Sequence, residues 1–309
     1  LSAFLHAGLA AMALAAAILI MGTAVAERAI LRLVRSARLR RQFFALPSAV
    51  RTALVKDPID VKGDSRTITY LSCRLPDAAR LEHELHGAPA RFVRLIDGIL
   101  QSLTQSVLAT GGTVLDFGAN GFSACWNAPL TDINHAAHAC AAAARMLNTM
   151  QEHNRFPLND GDAPQTMTIA IGIATGSAIA GVFGERWSLA GDCVSRAEEL
   201  RLRCTTLGFS ALADGATQAS TSQSFALLDL GEADGAYALL GDQSTRASPK
   251  FRALSTFHER IFAAISAHAF GDARDLIAQA RKLSGASQKL YDGFAARTEN
   301  VGMNKQNVA

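Results

Sequence analysis

The sequence predicts an α+β sandwich of ferredoxin-like type, and three observations lead to it. The first is a hairpin signature from Gly111 to Pro129. A helical pattern stops at Gly111-Gly112, a β-rich run follows, Gly118-Ala119-Asn120-Gly121 supplies a turn, and a second apolar run ends at Pro129. The second is the stretch Pro89 to Thr110, whose Phe92, Leu95, Ile96, Ile99, Leu103 and Val107 share one helical face and bury it against a sheet. The third is the order of patterns along the chain, β-α-α-β-β-α-β, which gives an α+β sandwich of ferredoxin-like type.

The 309 residues, 49% of them hydrophobic, suffice for one substantial domain with appendages. Five cysteines, odd in number, widely spaced and without a C-x-x-C pair, point to neither a disulfide framework nor a zinc site and suit a reducing, cytoplasmic setting. A net charge of +3 with its basic residues gathered near the N-terminus excludes nucleic acid as the expected partner. Because the chain opens on Leu1, it is read as a segment of a longer protein or a processed product.

Element by element, the uncharged run from Ala7 to Ala26 has the length of a membrane-crossing helix. Arg28, Arg32, Arg35, Arg38, Arg40 and Arg41 follow it, so the positive-inside rule places the rest in the cytoplasm and the chain in the inner membrane. The competing readings are a signal peptide, which wants its positive charges first, and a buried alanine-rich helix. Ile30, Val34, Ala37, Arg41 and Phe44 lay a mostly apolar stripe on the continuing helix, suited to a two-helix coil or to the lipid surface. Pro47 and Pro58 punctuate the connector.

Ile68 to Cys73 is the first core strand, Pro76 to His86 a helix, and Asp132 to Gln151 an alanine-rich helix after the hairpin. A polar loop from Glu152 to Gln165 leads to a strand over Thr166 to Ala174. Gly176 to Gly184 reads as a turn with a short helix, Trp187 to Ala190 as a strand, Asp192 to Leu207 as a helix capped by Asp192, and Phe209 to Ala213 as a strand. Leu227 to Leu240 holds the closing strands. Three helices follow, over Phe257 to Ala267, Asp272 to Ser284 and Ser287 to Asn300. The resulting organisation is a transmembrane helix (1–26), a basic juxtamembrane helix and connector (27–64), the α+β domain (65–243) and a small helical tail (244–309).

Gly111-Gly-Thr-Val-Leu-Asp-Phe-Gly-Ala-Asn-Gly-Phe-Ser-Ala-Cys-Trp-Asn-Ala-Pro129, the strand Arg66-Thr-Ile-Thr-Tyr-Leu-Ser-Cys73, and Gly191-Asp-Cys-Val194 before a helix together resemble the class III adenylate/guanylate cyclase catalytic domain of bacterial membrane-anchored type. The resemblance implies a ferredoxin-like cyclase sandwich and a site that closes the 3′-hydroxyl of a nucleoside triphosphate onto its α-phosphate with two carboxylate-held metals. It also implies where those groups stand. The two metal-ligand positions fall on Cys73 and Asn120, so both carboxylates are lost. The base-reading positions fall on Asp116 and Arg186, with the charges of an adenine-reading pair swapped. The transition-state positions fall on Ser195 and Glu199, the latter aiming a negative charge at phosphate. The turn Pro76-Asp77-Ala78 lacks a backbone donor and adds a charge.

These losses imply a dimerisation or regulatory module that has given up catalysis, with a homodimer and the lipid bilayer as partners. No cofactor is expected, and the losses argue against ATP or GTP as ligands. The alternatives are an active cyclase with divergent ligands, using Mg or Mn, and a nucleotide-binding sensor without turnover. His135 and His138, behind Asp132, fit the start of a family helix better than a metal site.

Overall fold

A tight reversal at Ala119-Asn120 closes the expected hairpin, with Gly118 opposite Gly121 in the register. The structure, a computed structural model, describes residues 2–56, 63–155, 166–184, 186–231, 235–284 and 288–296, though not the side chains of 2–11, 13–15, 17, 283 and 284. In chain order the elements are α1 (Ser2–Gln42), α2 (Ser48–Lys56), β1 (Asp64–Arg74), α3 (Ala78–Glu84), α4 (Pro89–Ala109), β2 (Thr113–Gly118), β3 (Gly121–Trp126) and α5 (His135–Arg155). Then come β4 (Ala170–Phe183), β5 (Arg186–Ala190), α6 (Asp192–Leu207), β6 (Ala211–Asp214), α7 (Gly215–Thr221), β7 (Ala226–Asp229), β8 (Ala236–Gly241), α8 (Gln243–Ala247), α9 (Pro249–Ser266), α10 (Phe270–Ser284) and a helical segment over 288–296.

The strands form one sheet in the order β2-β3-β1-β4-β6-β8-β7, with β5 folded back onto β4. Among the described strand pairs only β4–β6 is parallel. Strand alternation sends successive residues to opposite faces. Leu71, Cys73, Phe122 and Ile171 pack with Ile99 and Leu103 of α4 and Met146 of α5. Ile68, Tyr70, Cys125 and Ala174 pack with Ala197 of α6, Trp187 of β5, and Phe43 and Leu54 from the N-terminal connector. Both faces are thus covered, which is why the burial of β3 is unbroken.

The turn with a short helix expected over Gly176 to Gly184 is instead the second half of β4. Ala178 and Ala180 alternate into the α6-side cluster, Gly181 lies against Gly63, and the reversal comes at Gly184, whose φ is 64°. Gly191, not Asp192, is the residue before the first turn of α6. A Cβ there would meet the Ser177 carbonyl oxygen at 2.6 Å, so close approach selects glycine, and Asp192 adds an acid to the first turn. The loop expected after Glu152 lies largely outside the described residues.

Helix α1 runs through the expected span, nine of whose twenty side chains lie outside the described set. Among the described residues no helix is long and apolar enough to cross a membrane. The helix ends at Gln42, so Phe44 leaves the stripe proposed for it and stacks on Phe117 with ring centroids 4.3 Å apart.

The C-terminal helices dock on the far end of the sheet. Leu254, Ile261, Ile277, Tyr291 and Phe294 share one apolar cluster with Leu200 and Cys204 of α6 and Leu212 and Leu228 of the sheet. His258 sits inside it, 1% exposed. The Asp229 carbonyl, 2.7 Å from Nδ1, can only accept, so Nδ1 carries the proton and Nε2 accepts from the Tyr291 hydroxyl at 2.9 Å. Burial holds this imidazole below its usual range. The unfolded chain protonates near pH 6.5 while the folded chain does not, so stability is full above that pH and falls as the pH drops through it. Urea midpoints are expected to drop between pH 7.5 and 5.5, and to drop less in His258→Phe, which removes the donor to the Asp229 carbonyl at a cost of about 1–3 kcal/mol. An identical pH response in the variant would contradict this assignment.

Candidate functional site

The end of β1, the hairpin tip, α3 and α6 enclose an open cleft of about 580 Å³, bordered by Arg74, Glu82, Asn120, Arg201 and Thr205. The backbone builds it. The Leu75 amide donates to the Asn120 carbonyl at 2.8 Å, tying the strand end to the hairpin tip. A Cβ on Gly121 would stand 2.1 Å from the Cys73 carbonyl oxygen, so this crossing admits only glycine.

Of the two metal-ligand positions, Asn120 reaches the cleft and Cys73 does not. The Cys73 side chain is fully buried among Leu71, Phe122 and Ile171, and burial pushes its thiol far above the ordinary value, against the opposing pull of Arg74 and Arg201. The residue that turns toward α6 is Ser72, one step earlier. Its hydroxyl donates to Glu198 Oε1 at 2.8 Å, and Arg201 Nε donates to Glu198 Oε2 at 2.9 Å. Arg74 Nη1 donates to the carbonyls of Cys73 at 2.9 Å and Phe122 at 3.2 Å. The two positions themselves supply a buried thiol and an amide, so neither offers a carboxylate to a divalent cation; the carboxylates nearby are Glu82 on the cleft border and Glu198, held by Ser72 and Arg201, and Arg74 and Arg201 add two guanidiniums.

The base-reading positions lie on another part of the α6 face. Arg186 Nη2 donates to the carbonyl of Leu115 at 3.4 Å, next to Asp116, while the Asp116 carboxylate accepts from Ser123 at 3.2 Å. Ser123 also bonds Tyr70, whose hydroxyl is pushed up to about 12, chiefly by burial. Ser195 and Glu199 lie on the exposed side of α6 and do not themselves border the cleft, although Leu202, one turn beyond Glu199, does. Glu199 is occupied by Arg196 at 2.9 Å and Arg203 at 3.6 Å. Asp77 is likewise engaged: it accepts from the Thr168 amide at 2.8 Å and hydroxyl at 2.6 Å, linking α3 to the segment before β4.

The two histidines go to separate partners. His135 Nδ1 meets Thr69 Oγ1 at 2.7 Å, and His138 Nδ1 meets Asp132 Oδ2 at 2.8 Å. Among the described residues no three His, Cys, Asp or Glu side chains gather to hold a metal. Sequence reading missed Ser72, Glu198 and Arg201 as a unit. The period-2 step of β1 and the i, i+3 spacing on α6 were the available signals.

No family model matches the chain. A curated relative, Adenylate cyclase 1 of Rhizobium meliloti (strain 1021), is 30% identical over 150 residues, which are 47% of this chain and only 22% of that protein. Among solved structures, a bacterial light-regulated adenylyl cyclase is 16% identical with a TM-score of 0.55, over 72% of this chain and 63% of that one. The monomeric guanylyl cyclase domain of the RhoGC fusion protein from Blastocladiella emersonii is 15% identical with a TM-score of 0.50, over 58% of this chain and 98% of that one. The adenylyl cyclase CyaB from P. aeruginosa is 18% identical with a TM-score of 0.50, over 58% and 96%. At these identities the structural likeness is one of fold. Fold, curated match and the ordered hairpin, strand and helix motifs point the same way: the chain is similar to the catalytic domains of class III adenylate/guanylate cyclases.

Proposed function

We propose that this chain is a cyclase-homology domain without turnover, acting as a dimerisation and regulatory module in cyclic-nucleotide-type signalling and anchored to the inner membrane with its domain in the cytoplasm. The observation that carries the loss of turnover is the end of β1. A two-metal reaction needs carboxylates there, and this chain has the buried thiol of Cys73, the amide of Asn120, and Arg74 and Arg201. Anchoring is supported by Ile18, Leu19, Ile20 and Met21, four consecutive exposed apolar residues that run around the whole circumference of α1 ahead of its arginines.

Self-association is supported by exposed apolar side chains on β4 and α6, namely Ile179, Phe183 and Leu202 at 53%, 52% and 63% exposure. The tail shares a core with α6, so a fragment that ends before it would test a damaged domain. Sedimentation of residues 43–309 at tens of micromolar is expected to show dimer. Monomer alone at that concentration would count against the module.

A nucleotide sensor without turnover is the second reading, favoured by the guanidiniums bordering the cleft, which suit phosphate oxygens. Calorimetric titration of ATP and GTP with and without Mn²⁺ separates the two. Binding that needs no metal supports the sensor, and no binding leaves the module.

A further inference from the structure

A second cavity, of about 180 Å³, lies where α1 and α2 meet the sheet, away from the cleft. Its floor is apolar, formed by Leu39, Phe43, Leu54, Val182 and Trp187. The Phe43 and Trp187 rings stand 5.2 Å apart at 30°. Its rim is cationic: Arg35, Arg38 and Arg66 border it against one acid, Asp64, which is already paired with Arg66.

Two of these guanidiniums are fixed by backbone. Arg66 Nη1 donates to the carbonyls of Asn127 and Pro129, both at 3.1 Å, and Arg35 Nη1 donates to that of Val55 at 3.1 Å. Arg38 stands one helical turn beyond Arg35 on the same side of α1 and is exposed. Asp64 therefore offsets one of three positive charges above an apolar floor.

We propose that this cavity binds a small organic anion with a compact apolar body, an arylcarboxylate or a molecule of that size and charge. An apolar cavity of about 150 Å³ holds a benzene ring, and a guanidinium pairs a carboxylate with two parallel hydrogen bonds. A phospholipid fits poorly: its chains exceed the volume, and its headgroup alone would leave the floor uncovered. The walls come from α1, α2, β1 and the β4–β5 hairpin, so the ligand ties the N-terminal helix to the hairpin that carries Arg186. Bound ligand stabilises that junction by mass action. The site is independent of whether the domain turns over nucleotide.

The test is calorimetric titration of the whole purified chain with benzoate. Benzyl alcohol supplies the ring without charge, and acetate the charge without the ring. Saturable benzoate binding is expected, at least tenfold tighter than either control. Arg38→Gln, on an exposed helical side chain, is expected to weaken it at least tenfold while leaving the unliganded unfolding midpoint unchanged. Ala180→Leu, which fills the cavity, is expected to abolish it. Absence of saturation, equal affinity for benzyl alcohol, or benzoate affinity unchanged in Arg38→Gln would overturn the proposal. So would a response confined to phosphatidylglycerol vesicles, which would assign the arginines to a lipid surface.

Discussion

Gly172→Val is expected to leave the domain unfolded or barely folded. Gly172 lies in the middle of β4, opposite Ser72 on one side and Leu212 on the other, where α6 crosses the sheet. A Cβ there would stand 1.9 Å from the Ala197 carbonyl oxygen and 2.6 Å from the Arg201 amide nitrogen. Both are backbone atoms of a helix that holds the sheet on its other face, so no side chain can rotate away to make room. Overpacking ordinarily costs about 1–3 kcal/mol, and a backbone clash of this kind exceeds that, against a typical total stability of about 5–15 kcal/mol. Even Gly172→Ala should shift the urea midpoint strongly. Gly87→Ala, where nothing lies within 4 Å, should stay within about 0.5 kcal/mol of the parent. Equal midpoints for the two alanine variants would contradict the packing of α6.

Cys73→Asp is expected to destabilise the fold without creating a metal site. The side chain is fully buried in the apolar α4–α5 cluster, where a carboxylate either stays protonated or loses its hydration. The cost should be about 3–5 kcal/mol, at the lower end because Arg74 and Arg201 are near enough to lower the Cys73 thiol pKa. Asn120→Asp, at the exposed hairpin tip, should change stability by no more than about 0.5 kcal/mol. Denaturant melts of the single variants and Mn²⁺ titration of the double variant check both halves. A Cys73→Asp protein as stable as the parent would mean that residue 73 faces the cleft after all.

Much of the fold was legible because local chemistry dictated it. Gly111-Gly112 and the Ala119-Asn120 reversal mark the hairpin, and Asp192 to Leu207 matches the observed helix residue for residue. The second half of β4 was misread because Gly176, Gly181 and Gly184 look alike in sequence and serve different ends. Gly184 turns the chain, whereas Gly176 makes room for Cys193 and Gly181 for Gly63. Helix α7 is only two turns long and is held by Asp214 capping Thr217, too short to show a period.

The site was legible as positions and less so as directions. Cys73 was located on β1, but the face it takes depends on the register with β3 and β4 and on which helices cover each face. Those are tertiary facts. The Ser72–Glu198–Arg201 group joins residues 126 positions apart: the alternation of β1 and the spacing on α6 mark each half, but no local pattern announces the contact between them.

The most direct test of the central claim is mass spectrometry of the purified protein incubated with Mn²⁺ and ATP or GTP. On the proposed reading both sets of family groups are replaced: Cys73 and Asn120 stand at the metal positions, and Asp116, Arg186, Ser195 and Glu199 at those for base and transition state. Each tenfold loss of rate is about 1.4 kcal/mol, and losing the metals alone removes several kcal/mol, so turnover should fall by about four decades or more. No cyclic nucleotide is expected above the protein-free control, from the parent protein or after Asn120→Asp. Cyclic AMP or cyclic GMP that scales with protein concentration and disappears in Asn120→Ala would contradict it.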